Sequence, residues 1–422
     1  MTRCTRRVFG GLAGAACLAC VPALAAPRRA APRVVVIGGG AGGATLARYL
    51  AVSGKSLNIT LIEPKQRYTT CFYSNLYLAG LRSFESLTHG YEVLSERYGI
   101  HVIHEQASAI DPVARKIRLS SGTSIPYDRL VVAPGIAFRE GAIAGYDEAA
   151  AEVMPHAWMA GAQTRLLRQQ LEAMPDGGTF LLAAPPNPFR CPPGPYERAC
   201  LVAAYFKLHK PRSKILILDA KDSFFEQDLF QDAWSRHYPG MIEWLPAQFI
   251  GAIEAVDVKE RSIKTATQVF KADVANVIPP QMAAGVAQQA GLTDKSGWCP
   301  IDPVTFESTL QRDIHLVGDA IIAGDMPKSA FAANSQAKAC AVAIAAALTG
   351  GGSSRQFLFN TCFTVLAPDD AVSDAISFSN AGGKISIKEI LFSQLDDSAA
   401  MRAQGARESD GWYDAFTRDI FG

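Results

Sequence analysis

The sequence predicts an α/β chain of two Rossmann-like units followed by a smaller C-terminal α+β domain. Three observations predict it. A glycine-rich turn, Gly38-Gly39-Gly40-Ala41-Gly42-Gly43, follows directly on a short apolar strand, Arg33–Ile37. The next strand closes on an acid, Glu63, twenty residues beyond the last of those glycines. A strand–helix–strand series then begins again at Thr179–Ala184 and ends at Asp219, as a second unit of the same kind would.

Composition agrees. Of 422 residues, 49% are hydrophobic and 19% charged, with 35 Gly and 24 Pro, which excludes disordered, collagenous and coiled-coil classes. The length suits roughly three domains. Lysine and arginine number 41 against 40 acids, so no global field recruits nucleic acid or an acidic membrane. A small substrate or a protein partner fits such a surface better.

The N-terminus reads as an address. Arg6-Arg7 precedes a weakly apolar run, Gly10 to Val21, and Ala23-Leu24-Ala25 resembles a cleavage site. A membrane anchor is the competing reading, but the run is short for a bilayer and rich in Gly and Ala. Residues 1–26 are therefore expected to be a twin-arginine signal. Its removal leaves 38 basic against 40 acidic residues. That route exports folded proteins, which suits a cofactor inserted before export, and the periplasm is the expected destination. No later stretch reaches about 18 uninterrupted apolar residues, so no integral membrane segment is expected.

Gly38, Gly40 and Gly43 make a GxGxxG turn between the strand and a helix expected over Ala44–Ser53. Glycines there let the backbone approach a pyrophosphate, which rests on the positive end of the helix dipole. A second strand over Leu57–Ile62 delivers Glu63 to the ribose hydroxyls. Two later segments indicate FAD. Ile125 to Gly135 runs as a strand through Ala133 into a glycine turn, and Ile314 to Ala320 runs as a strand into Gly318-Asp319. Both resemble the distal motifs of flavoprotein reductases with two dinucleotide domains, in which the aspartate holds the ribityl chain. The FAD domain is thus expected in two pieces, 33–144 and 271–349.

The inserted unit, 145–270, lacks the turn that would bind NAD(P). After Thr179–Ala184 come Pro185-Pro186-Asn187-Pro188-Phe189-Arg190-Cys191-Pro192-Pro193-Gly194-Pro195. Proline fixes φ and removes the N–H groups that would cradle phosphate. The fold is expected to survive there without a nicotinamide site, so the electrons come from another donor. Gly350 to Ser354 then reads as a linker. Beyond it, 355–422 forms a C-terminal domain with a closing aromatic cluster that includes Trp412.

Six cysteines remain after the signal. Cys200 and Cys340 lie on apolar helical stretches and read as inert core thiols, while the pattern around Cys299 assigns it no role. Cys71 stands eight residues beyond Glu63, and eight extended residues reach about 26 Å, enough to pass from the adenosine end of a cofactor to its ring. A thioether to the flavin and a free or buried cysteine are both open readings. Cys191 and Cys362 occupy loop-like contexts and read either as a structural disulfide or as a redox pair. Glu197 reads either as an exposed charge opening a helix over 197–208 or as the acceptor of a hydrosulfide proton.

Arg67-Tyr68-Thr69-Thr70-Cys71 with Ser74-Asn75, Cys191-Pro192-Pro193-Gly194-Pro195-Tyr196-Glu197-Arg198, Gly318-Asp319 with Pro327-Lys328-Ser329-Ala330, and Asn360-Thr361-Cys362 together resemble the flavoprotein subunit of flavocytochrome c sulfide dehydrogenase, within the glutathione-reductase-like superfamily. The resemblance covers essentially the whole chain. It implies an 8α-S-cysteinyl FAD on Cys71, a redox disulfide of Cys191 with Cys362, and Glu197 close to that pair. It implies that Lys65, Arg67 and Ala133 belong with the cofactor-binding residues, that Lys328 lies at the pyrimidine edge of the flavin, and that Trp412 stands near the electron path. Phe72-Tyr73 departs from the commoner Tyr-Leu after that cysteine.

The activity implied is oxidation of sulfide to sulfur or polysulfide, with electrons passing to a cytochrome c subunit. The chain has no Cys-x-x-Cys-His haem site, so haem belongs to the partner. Two rivals remain. A sulfide:quinone oxidoreductase would need a hydrophobic C-terminal pair of helices, whereas Asp369-Asp370, Asp396-Asp397 and Arg407-Glu408 interrupt this segment. A non-catalytic flavin-bearing assembly protein would use its cysteines only to brace the fold.

Overall fold

Five short parallel strands form the first sheet, in the order Ile314–Leu316, Arg129–Val132, Arg33–Ile37, Asn58–Ile62 and His101–Ile103. Val34, Val35 and Val36 in the central strand are buried on both faces, as a parallel sheet covered on both sides requires. The computed structural model describes residues 30–54, 56–350 and 357–422. The signal expected over residues 1–26 and most of the expected linker lie outside the described residues.

The helix after the glycine turn, Ala41–Val52, begins three residues earlier than expected, so Gly42 and Gly43 are its first turn. The last glycine is there for contact. A Cβ on Gly43 would lie 1.8 Å from the carbonyl oxygen of Gly38, and one on Gly38 would lie 2.3 Å from that of Ala133. Strand, helix and the neighbouring strand end meet at distances no side chain permits. The helix Ala330–Thr349 packs across Ala41–Val52, with Gly42 facing Ala333. Among the described residues it is the one helix long and apolar enough to cross a membrane, and most of it is buried against the rest of the chain.

The second sheet is also parallel: Ile242–Leu245, Lys214–Asp219, Thr179–Ala184 and Val274–Val277. Its last strand corrects the expected boundary at residue 270. Val274–Val277 pairs with Phe180–Ala183, so the second unit runs on to Val277 before the chain returns to the first. Gln281–Ala283 then pairs with Ile136–Phe138, so the segments leaving and re-entering the first unit run side by side.

The C-terminal segment is an antiparallel sheet of Leu358–Ala367, Asp370–Ser379 and Ser386–Phe392, covered by the helix Ala399–Phe421. That helix has one buried stripe, Tyr413, Phe416, Ile420 and Phe421. Arg407, Glu408, Asp410 and Asp414 lie along its length, and a pair of apolar C-terminal helices is not found among the described residues.

Candidate active site

Two adjoining concavities hold most of the residues singled out in the sequence. The first is a groove along the end of the first sheet, lined by Gly38, Gly40, Glu63, Lys65, Ala133, Gly318 and Asp319. Glu63 accepts from Gly39 N at 2.8 Å and from Lys65 N at 3.0 Å, which fixes its carboxylate over the glycine turn. Asp319 is half-buried, and its Oδ1 is enclosed with no hydrogen-bond partner. A buried acceptor left unmatched points to a hydroxyl supplied from outside the chain. The turn, the ribose acid and this orphaned oxygen fit an extended dinucleotide whose ribityl chain passes Asp319. Burial pushes the Asp319 carboxyl up, against the pull of Arg190 and Lys328.

The second concavity is a cavity of about 60 Å³ lined by Cys71, Asn75, Trp158, Arg190, Cys191, Glu197, Arg198, Cys362 and Trp412. Cys71, Arg190 and Ala330 line both spaces, so the groove opens into the cavity at Cys71. The three cysteines arrive from three elements. Cys71 sits in the turn before the helix Ser74–Ala79. Cys362 is in the strand Leu358–Ala367. Cys191 precedes the helix Gly194–His209 with a left-handed backbone, φ 61°, held by its N–H on the Lys328 carbonyl at 2.8 Å and by its carbonyl accepting from Gly194 N at 2.9 Å. All three are free thiols in the structure.

Glu197 is not the exposed helix-opening charge that was one of its two readings. The helix starts at Gly194, and the carboxylate is turned inward, accepting from Val365 N at 3.0 Å and from Asn75 Nδ2 at 2.8 Å. Burial pushes its carboxyl up, while those two donors and Arg198 hold it down. Burial also pushes up the Cys191 thiol, with Glu197 and Cys71 adding to it and Arg190 opposing. Cys362 is pushed up by burial, then by Asp374 and Cys191.

Four residues with no role in the sequence reading complete the site. Arg198 is fully buried and donates to Asn75 Oδ1, His156 O, Asn276 Oδ1 and Ala157 O, which locks the start of the helix to the second sheet. Arg190 donates to the Trp158 carbonyl and lies 3.9 Å from Asp319. Trp158 and Trp412 each bury an indole N–H without a partner. Asn75 and Arg198 lie inside the strings quoted above, so position was legible there and contact was not. Nothing in the sequence marks Trp158.

Three expected cofactor residues, Gly43, Arg67 and Lys328, lie on neither lining; Gly43 is instead packed against the Gly38 carbonyl. The Lys328 ammonium donates to the carbonyls of Asp319 and Ile321 at 2.7 and 2.8 Å and sits 3.7 Å from the Trp298 ring centre. Only its own carbonyl reaches the cavity, through the Cys191 N–H. Arg67 is exposed and donates to Thr88 O. Trp412 lines the cavity, stacked on Phe331 and Phe416, and does not line the groove. Cys200, Cys299 and Cys340 are fully buried away from the site.

In the second unit the acid that closes the strand Lys214–Asp219 is occupied by partners from within the chain. Asp219 is fully buried and accepts from Tyr196 and Trp244 at 2.5 and 2.9 Å, with Lys221 at 2.6 Å.

Known proteins match the chain region by region. Residues 164–279 match the central region of the sulfide dehydrogenase [flavocytochrome c] flavoprotein chain, 355–421 the flavin-binding region of flavocytochrome c sulfide dehydrogenase, and 32–165 the pyridine nucleotide-disulfide oxidoreductases. The mitochondrial sulfide:quinone oxidoreductase of Mus musculus is 25% identical over 314 residues, covering 71% of this chain and 67% of that one. The sulfide:quinone oxidoreductase structure from Aquifex aeolicus superposes with a TM-score of 0.73 at 20% identity, over 93% of this chain and 92% of that one, and so shares the fold. A sulfide dehydrogenase [flavocytochrome c] flavoprotein chain from Chlorobaculum thiosulfatiphilum is 54% identical over 43 residues, 10% of this chain and 90% of that sequence. This chain belongs to the family of flavocytochrome c sulfide dehydrogenase flavoprotein chains.

Proposed function

We propose that this chain is the sulfide-oxidising flavin subunit of a flavocytochrome c, with Cys191 and Cys362 as its redox pair and FAD bound covalently to Cys71. One observation carries the reading. Cys71, Cys191, Cys362 and Glu197 line a single cavity, and that cavity opens into the dinucleotide groove at Cys71 itself.

In the oxidised enzyme Cys191 and Cys362 form a disulfide. Hydrosulfide attacks one of the two sulfurs; a bond forms between the entering sulfur and that cysteine, the Cys191–Cys362 bond breaks, and the other cysteine leaves as a thiolate. Glu197 takes the hydrosulfide proton, a role helped by its raised affinity for protons. Arg190, beside Cys191 and Cys71, offsets the negative charge that develops. Gly318-Asp319 and the glycine turn hold the cofactor, whose isoalloxazine supplies a two-electron sink that can be emptied one electron at a time.

Electron delivery from NAD(P)H is disfavoured by the proline-rich turn after Ala184 and by the partners that occupy Asp219. The acceptor in this reading is a cytochrome c subunit, supported by the flavocytochrome matches over 164–279 and 355–421. The twin arginines and the AxA-like site within residues 1–26 support export to the periplasm by the twin-arginine route in this reading. Quinone as acceptor is the second reading, favoured by the relative from Mus musculus. Co-purification with a c-type cytochrome supports the first reading, and recovery with membranes supports the second.

Single Cys191→Ser and Cys362→Ser variants test the redox pair. Each is expected to bind flavin and to resist bleaching by sulfide. Bleaching at the normal rate in both would leave the cysteines as braces only.

A further inference from the structure

Sulfide oxidation in the proposed site would release protons beside Cys362, and two acids lie behind that thiol. Asp374 stands directly opposite Cys362 in the antiparallel pair of Leu358–Ala367 with Asp370–Ser379. Residues so opposed project from the same face with Cβ atoms about 5 Å apart, which sets this carboxyl beside the thiol. Asp374 is buried, and Asn360 Nδ2 donates to its Oδ1 at 2.7 Å.

On the other flank Phe392 stands opposite Asp374, and Phe225 packs on Phe392, which brings the next residue, Glu226, to this end of the sheet. Glu226 is the residue before the helix Gln227–His237 and has a left-handed backbone, φ 59°, which a side-chain-bearing residue adopts at a cost. Both of its carboxylate oxygens are buried without a hydrogen-bond partner. Glu226 also lines an open surface groove with Phe225 and Phe392. The residue therefore borders the groove, and its carboxyl is enclosed behind that wall.

Resting on the redox role proposed for Cys362, we infer that Asp374 and Glu226 are the proton exit of the site, carrying a proton from the Cys362 thiol to water in the groove beside Phe392. Cys362, displaced as a thiolate among burial and negative neighbours that favour its protonated form, takes up a proton and must lose it again before the disulfide re-forms: the S–H bond breaks and its electron pair stays on sulfur. The proton passes to the Asp374 carboxylate, then to Glu226, then to water. This proton transfer changes no oxidation state; the two electrons released as the disulfide re-forms go to the two-electron sink that the isoalloxazine would supply.

The electrostatics agree with the geometry. Burial pushes Asp374 up to about 6, against the Asn360 hydrogen bond. Burial, with Asp374 and Glu197 adding to it, pushes Glu226 up to about 8, while the positive charge of Arg402 favours its charged form. Both acids thus exchange protons across the neutral range. Cys362 faces Asp374, Cys191, Glu197 and Glu226, all of which oppose its ionisation.

The test uses the holoprotein, reduced with a dithiol and treated with iodoacetamide at about pH 9, with labelling read at the Cys362 and Cys191 peptides by mass spectrometry. Glu226→Gln and Asp374→Asn each remove a negative neighbour of Cys362. Its labelling is expected to speed up about threefold or more, the effect of half a pKa unit, while Cys191 labels as before. Bleaching by sulfide is expected to slow in the same variants, and its rate to lose the titration between about pH 6 and 8. Glu226→Asp, which keeps a proton carrier, restores bleaching.

Unchanged Cys362 labelling overturns the inference. So does a faster thiol without slower bleaching, and so does a loss of both, which a structural disturbance would produce. Wild-type protein that sulfide fails to bleach refutes the functional reading, and the labelling arm still reports on the two acids.

Discussion

Asn75 donates to Glu197, Nδ2 to Oε2 at 2.8 Å, from a residue 122 positions away in the chain. Its amide oxygen accepts from Arg198 Nε at 3.0 Å. The orientation of the amide is forced, because guanidinium only donates and carboxylate only accepts. Asn75 therefore sets both the position of the proposed base and part of its affinity for protons.

Asn75→Ala removes a hydrogen bond that favours the charged form of Glu197. The Glu197 carboxyl then rises further, and the acid limb of sulfide-driven bleaching, referred to hydrosulfide concentration, moves to higher pH by about half to one unit. An unmoved limb would show that Glu197 is not the base.

Gly194→Ala tests how tightly Cys191 is held. The added Cβ would lie 2.7 Å from the Trp158 ring and 2.8 Å from Cys191 Sγ. The expected outcome is a folded protein destabilised by about 1–3 kcal/mol in a denaturant titration, with its sulfide reaction lost or strongly slowed. Normal reactivity would mean that the Cys191 thiol does not need this position.

What was legible in the sequence was local. The strand, glycine turn, helix and Glu63 occupy consecutive residues, so one motif states their geometry. The cysteine strings likewise placed Cys71, Cys191 and Cys362 before any coordinates. Direction and long-range pairing were not legible. Lys328 follows its motif, but its ammonium is drawn to the carbonyls of Asp319 and Ile321. Val274–Val277 is a four-residue run, apolar but for Asn276, that either sheet could have accepted, and its bonds to Phe180–Ala183 decide for the second. Asp374 meets Cys362 only through the register of a hairpin. Glu226 belongs to no motif at all.

Glu226→Gln also has a pH-dependent effect on stability. A carboxyl raised to about 8 in the folded chain binds its proton more tightly there than when unfolded. Its contribution is fully present below the unfolded value near 4.5 and is lost as pH rises through about 8. The variant should match wild type at low pH and gain stability above about pH 8, by up to about 4 kcal/mol. Melting curves at the two extremes check this, and parallel curves would refute the raised value.

Cys71→Ala separates a bonded flavin from a held one. Wild-type protein precipitated with acid is expected to keep its yellow colour in the pellet, and the variant to release it to the supernatant. A colourless wild-type pellet would remove the thioether from the account.

The account depends on the covalent state of three sulfurs, and peptide mass mapping of the air-oxidised holoprotein, denatured with free thiols blocked and no reductant added, reads all three at once. The predicted map joins the peptide of Cys191 to that of Cys362 through a disulfide and shows the Cys71 peptide heavier by one flavin. Blocked, unpaired Cys191 and Cys362 beside an unmodified Cys71 would contradict it.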